Sequence, residues 1–160
     1  DDVDFILVAT TSADQVMPNM ASQIQNALNI PDAGCLDIMA ACAGFVYGII
    51  LAKGLIAAGT HKKILVFGAE TLSKFTDFTD RTSCILFGDG AGVALVEAAE
   101  KSKVFSTING TDGSHGKDLY LSQHASVVNG EEIVPNGKIH QNGKVVFKWA
   151  IQTITHKVGE

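Results

Sequence analysis

Apolar residues in this chain come in short blocks separated by polar punctuation, and the period inside each block predicts its element. Phe5-Ile6-Leu7-Val8-Ala9, led in by Asp4 and closed by Thr10-Thr11-Ser12, is β-rich and too short for a helix, so a buried strand is predicted. A helix follows, with Pro18 near its first turn, Ala21, Ile24 and Leu28 on one face, and Asn29 and Pro31 as its stop. Gly34 to Met39 predicts a second strand, Phe45 to Ala58 a second helix closed by Gly59, and Lys63 to Phe67 a third strand ending at Gly68.

Beyond Gly68 the period is lost. Glu70 to Ser83 is rich in Thr and Asp and predicts a functional loop containing at most a helical turn. Cys84 to Phe87 and Gly92 to Val96 are short apolar runs flanking Gly-Asp-Gly-Ala-Gly, which predicts two adjacent strands on a tight glycine turn. Glu97 to Lys103 is a charged connector, Val104 to Ile108 predicts a fresh strand, and the Gly/Asn/Asp-rich stretches 109–116 and 128–143 predict loops and hairpins. The last block, Lys144 to Val158, predicts a helix with Lys144, Lys148, Gln152 and Thr155 opposite Val146, Ala150 and Ile154. The β-α-β-α-β order predicts an α/β fold with helices on the faces of a sheet. Between Phe45 and Thr60 the only charge is Lys53, so the second helix is apolar nearly all round and calls for cover on every side. That demand suggests a further layer, from more chain or from a second subunit.

Composition narrows the function classes. A net charge of −5 argues against a nucleic-acid partner, which a basic stripe would mark. The longest apolar run, Phe45 to Leu51, falls far short of the roughly 20 residues of a membrane span, and the acidic start does not resemble a secretory signal. A cytoplasmic protein without membrane association is expected. Cys35, Cys42 and Cys84 form no Cys-x-x-Cys pair and leave an odd thiol, the pattern of a reducing compartment. The five histidines show no metal-ligand spacing, so no metal is expected.

The chemistry centres on Ala40-Ala41-Cys42-Ala43-Gly44-Phe45-Val46-Tyr47-Gly48, where a cysteine flanked by small residues stands at the mouth of an apolar helix. Free N–H groups and the helix dipole favour a thiolate there, and small neighbours let a carbonyl approach the sulfur. The helix end is worth up to about 2 kcal/mol to an anion, so strong nucleophilicity needs a second activator, usually histidine. Nucleophile and buried core thiol both remain open on spacing alone. Cys35 and Cys84 sit inside apolar patterns and read as core. Gly88 to Gly92 fails a phosphate-loop pattern because Val93 stands where the third glycine belongs, and a tight turn is the expectation. His140, in Ile-His-Gln-Asn-Gly, reads as a solvated surface histidine.

The nine residues around Cys42, then VFGAETLSKFTDFTDR, then CILFGDGAGVALVE, with ATTSADQVMPN upstream and NGKVVFKWA downstream, resemble the β-ketoacyl-acyl-carrier-protein synthases III. These are the initiating condensing enzymes of type II fatty acid synthesis. The likeness weakens from about Lys117 to Gln141, where this sequence carries extra residues. The resemblance implies a thiolase-like fold of two similar halves with mixed sheets around paired buried helices. Residues 1–99 would be the rear part of the first half and 100–160 the beginning of the second. It implies a decarboxylating condensation of acetyl-CoA or a short acyl-CoA with malonyl-acyl carrier protein, through an acyl-cysteine on Cys42.

The same resemblance implies that Arg81 packs on the CoA adenine, that Phe87 and Leu119 line the substrate channel, and that Lys148 meets the acidic carrier protein. Met17 stands where acetyl-using members often carry a phenylalanine that closes the partner subunit's acyl channel, so a homodimer is implied and the primer length is open. No cofactor is expected, since acyl-CoA is a substrate. The family's histidine and asparagine have no match here, and the chain reads as the central part of a longer fold, inactive by itself. Two alternatives stand beside this one. The first is a related condensing enzyme of secondary metabolism with another primer; the second is a non-catalytic subunit that binds acyl-CoA or carrier protein.

Overall fold

The structure, a computed structural model, describes residues 2–158. Its contacts divide the chain into two units, one made of residues 1–71 and 89–107, the other of 72–88 and 108–160.

The first unit is built on four strands, β1 (Phe5–Ala9), β2 (Gly34–Ile38), β3 (Lys63–Thr71) and β4 (Asp89–Glu97), in the order β2-β1-β3-β4. β1 runs parallel to β2 and β3, while β4 returns antiparallel along β3. Period-2 alternation sends successive β1 side chains to opposite faces. Ile6 and Val8 pack with Ala21 of α1 (Met20–Ala27) on one side; Leu7, with Ile64 and Val66 of β3, packs against Ala52 of α2 (Gly44–Ala57) on the other. Both helices are placed as the pattern predicted, with the strands between them.

Local chemistry sets the helix ends. Asn19 caps α1 by accepting from the Ser22 N–H at 3.2 Å, and the Asp37 carboxylate on β2 takes the Met20 and Ala21 N–H groups at 2.7 and 2.8 Å. Leu28, expected on the inner face, lies at the C-terminal cap and is 51% exposed. α2 closes where Gly59 takes a φ of +73°.

Two predicted features are corrected. The Gly-Asp-Gly-Ala-Gly segment is not a turn between strands: Asp89 to Gly92 open β4 and pair in register with Thr71 to Gly68, so β3 itself extends four residues past Phe67. A ladder is made by backbone groups, so glycines and a polar strand end join it once a partner strand lies alongside. Cys84 to Phe87 form no strand; Cys84 to Leu86 lie in turns, with the Cys84 N–H on the Asp80 carbonyl at 3.0 Å. Val104 to Ile108 likewise stays outside any ladder, Phe105 being 77% exposed, because no strand lies beside it among the described residues. The outer face of α2 is not covered there either: Val46 is 55% and Leu51 44% exposed.

The second unit is held by small ladders. β5 (Leu119–Leu121) pairs antiparallel with β8 (Ile139–Gln141), and β6 (Val127–Val128) with β7 (Glu131–Glu132). The β6–β7 hairpin turns on Asn129 and Gly130, both at positive φ (52° and 80°), which this dipeptide adopts at least cost. α3 (Gly143–Val158) exposes Lys144, Lys148, Gln152 and Thr155 as the pattern predicts. Its partly covered face is made by Val145, Val146, Trp149, Ala150 and Thr153, while Ile154 is 60% exposed. Among the described residues no helix is long and apolar enough to cross a membrane.

Candidate active site

Cys42 occupies the middle of a 3-10 turn, Ala41–Ala43, that runs directly into α2, and the residue is exposed. The turn is tight: Ala41 sits at φ +44°, in the left-handed region that non-glycine residues enter at a cost, and the Ala43 N–H reaches the Ala40 carbonyl at 3.1 Å. No side chain caps the start of α2. Its first N–H groups therefore lack a side-chain acceptor close to the sulfur.

The glycines after Cys42 have a packing role. A methyl added to Gly44 would lie 2.9 Å from Ala9 Cβ, and one added to Gly48 would lie 2.7 Å from Val66 Cγ1. Gly44, Gly48 and Ala52 form the buried stripe by which α2 lies close on β1 and β3. That close approach seats the Cys42 turn at the end of the sheet where β1 and β2 finish.

A carboxylate without a local signature in the sequence lies at that end. Glu70 Oε1 accepts from the Thr11 N–H at 2.9 Å and the Thr11 hydroxyl at 2.8 Å, while Oε2 accepts from the Ser12 hydroxyl and, at 3.4 Å, from Thr10. Ser12 Oγ in turn accepts from the Thr71 N–H at 2.8 Å. The usable signal was a Thr-Thr-Ser run leaving one strand and an acid ending another, but their pairing needs the parallel register of β1 on β3.

Met17 also belongs to the first unit, in the irregular segment before α1, and is 84% exposed. Cys35 packs beside Ile6 and Val8, and burial, with Asp37 nearby, raises the pKa of its thiol. Cys84 is half-buried.

The second unit holds the other candidates. Arg81 is exposed and makes no ion pair with Asp77 or Asp80, whose carboxylates are occupied by Thr79, Thr82 and Ser83. Phe87 is half-buried at the end of the same segment. Leu119 lines a cavity of about 140 Å³ with Val145, Val146 and Trp149, bordered by Asp112 and His115. Lys148 is exposed on α3. His140 is not simply solvated: it stacks on Tyr120 at 4.8 Å and its Nε2 meets Asn136 Oδ1 at 2.9 Å.

The family described as 3-Oxoacyl-[acyl-carrier-protein (ACP)] synthase III matches residues 36–113. Among curated proteins, the Beta-ketoacyl-[acyl-carrier-protein] synthase III 2 of Halalkalibacterium halodurans is 52% identical over 96% of this chain and 47% of its own length. That of Bacillus subtilis is 50% identical over 96% and 48%. Among solved structures, the synthase III of Thermus thermophilus superposes with a TM-score of 0.89 at 35% identity, covering 96% of this chain and 47% of that one. The priming β-ketosynthase of the R1128 polyketide pathway gives 0.84 at 28% identity, over 96% and 46%. The chain spans about half the length of the curated relatives it matches. Along nearly its whole length the chain is thus similar in sequence to β-ketoacyl-acyl-carrier-protein synthases III, and it has the thiolase-like fold of those enzymes.

Proposed function

We propose that the protein carrying this chain starts fatty acid chains by condensing acetyl-CoA, or another short acyl-CoA, with malonyl-acyl carrier protein. The observation that supports it most is Cys42: an exposed thiol on a strained turn, at an uncapped helix start, among residues small enough to admit a thioester. The sulfur attacks the acyl-CoA carbonyl, the tetrahedral adduct expels the CoA thiolate, and an acyl thioester is left on Cys42. The malonyl thioester then loses CO₂. The resulting carbanion attacks the acyl-Cys42 carbonyl, the new carbon–carbon bond forms, and the Cys42 thiolate leaves.

Arg81, an exposed planar cation, suits stacking on the CoA base; Phe87 and Leu119 suit the walls of the channel, and Lys148 suits an acidic carrier protein. Met17 borders the partner subunit's acyl channel in a cytoplasmic homodimer. Residues 1–99 belong to the first thiolase-like half and 100–160 to the second. No cofactor or metal takes part.

The test is to incubate the complete protein with acetyl-CoA and map the adduct. An acetyl thioester on Cys42 is expected; one on Cys35 or Cys84 with Cys42 unmodified refutes the assignment, and no covalent acyl group at all favours a binding subunit. The likeness to a polyketide priming synthase supports a second reading, a condensing enzyme of secondary metabolism. Uptake of a longer or branched acyl group in preference to acetyl would select it.

A further inference from the structure

We infer that Glu70 is a positioning residue that sets the rate at which Cys42 is acylated, by fixing the Thr10–Ser12 loop beside the cysteine turn; this rests on the Cys42 reading above. The placement follows from alternation along β3. Val66 meets Gly48 of α2 and Gly68 lies under Phe45, so the next residue on that face, Glu70, falls beyond Phe45 toward the helix start that Cys42 precedes. The loop it holds joins the same corner: the Thr10 N–H bonds the Ile38 carbonyl at 3.1 Å, four residues before Cys42, and Ala9 packs under Gly44.

The clasp is made entirely of neutral donors. Glu70 pairs with no cation among the described residues; both its oxygens are taken by a backbone N–H and three hydroxyls of three consecutive loop residues. Thr10 and Ser12 are 9% and 4% exposed, so their hydroxyls have little access to water as an alternative partner. Hydrogen bonds to a charged acceptor are stronger than neutral ones, so the loop is held in one conformation while Thr11 stays half-exposed. A wall fixed this way beside a nucleophile acts on the alignment of the incoming thioester, and small misplacements there are costly.

The experiment measures two rates at Cys42 in the complete protein: acylation by acetyl-CoA, and alkylation by iodoacetamide, which needs no seat for an acyl group. Glu70→Ala is expected to slow acylation by about tenfold or more with KM within about twofold, and to leave alkylation within about twofold. Glu70→Gln, which can still accept from Thr11, is expected to recover most of the loss. Unchanged acylation accompanied only by a lower Tm overturns the inference, as does an equal fall in both rates, which would mean that the thiol or the fold was damaged. Wild-type protein that alkylates at Cys42 but takes no acyl group overturns the proposed function, and this inference with it.

Discussion

Two residues, Gly48 and Arg81, show how packing and chemistry share one sequence. Gly48 lacks a side chain because Val66 occupies the space, so Gly48→Ala forces α2 away from β3 and should cost about 1–3 kcal/mol, read as a shift in the denaturation midpoint at constant m-value. A methyl added to Gly54 would meet nothing within 4 Å, and Gly54→Ala serves as the control: it should be neutral or slightly stabilising by helix propensity. Arg81 offers the contrasting case of an exposed residue whose neighbouring carboxylates, Asp77 and Asp80, are taken by other groups. Arg81→Ala in the complete protein should leave Tm unchanged and raise the acyl-CoA KM severalfold, with a smaller effect on kcat. An unchanged KM would remove Arg81 from the CoA site.

At the scale of elements, the stretch 77–84 between β3 and β4 is shaped by two aspartates. Asp77 accepts from the Thr79 hydroxyl at 2.6 Å and the Thr79 N–H at 2.8 Å; Asp80 accepts from the Ser83 hydroxyl at 2.5 Å and from Thr82. These bonds favour the ionised carboxylates: the Thr79 hydroxyl lowers the Asp77 pKa, and the Ser83 and Thr82 hydroxyls lower that of Asp80. Because the folded values lie below the unfolded ones, the ordering is fully present above the ordinary carboxylate range and fades as pH falls through the depressed values. Amide signals of Thr79 and Thr82 followed by NMR should hold steady down to about pH 4 and move below it. Movement centred near neutral pH would show that another group orders the segment. The apolar run Cys84 to Phe87, read by its residue types as strand, is drawn into turns by this same Asp80, whose carbonyl takes the Ser83 and Cys84 N–H groups.

For the whole molecule, the decisive feature is apolar surface without cover among the described residues. Val46 and Leu51 on α2, Val93 and Leu95 on β4, and Phe147 and Ile151 on α3 are all between 44% and 68% exposed. Scattered exposed apolar residues are ordinary, but runs on one helix or strand face mark surfaces that are meant to be covered. Residues 1–160 expressed by themselves should therefore associate or aggregate in sizing experiments. They should also give no ketoacyl product from acetyl-CoA and malonyl-acyl carrier protein, since decarboxylation needs positioned donors for the developing enolate oxygen, and losing even one typically costs about 3 kcal/mol. His140 is the nearest substitute in the chain, and it is engaged with Tyr120 and Asn136. Turnover by this piece, abolished in His140→Ala, would show that the active site has been misplaced.

Elements whose reasons are local are legible in the residues alone. The β1 block, the two helices that flank β2, the Gly59 stop and the long C-terminal helix are written in period, caps and small residues, and Cys42 stood out because its neighbours are small and a helix follows it. Tertiary structure alone decided the rest. Gly88 to Gly92 reads as a turn in isolation, yet most of it is strand because β3 lies alongside and supplies the ladder. Val104 to Ile108 has strand composition and forms none, since composition cannot supply a partner. Glu70 is one more acid in a polar stretch until the parallel register of β1 and β3 brings it to Thr10, Thr11 and Ser12, 58 to 60 residues away in the chain. Contacts between distant residues have no local signature; they exist only once the backbone has closed the distance.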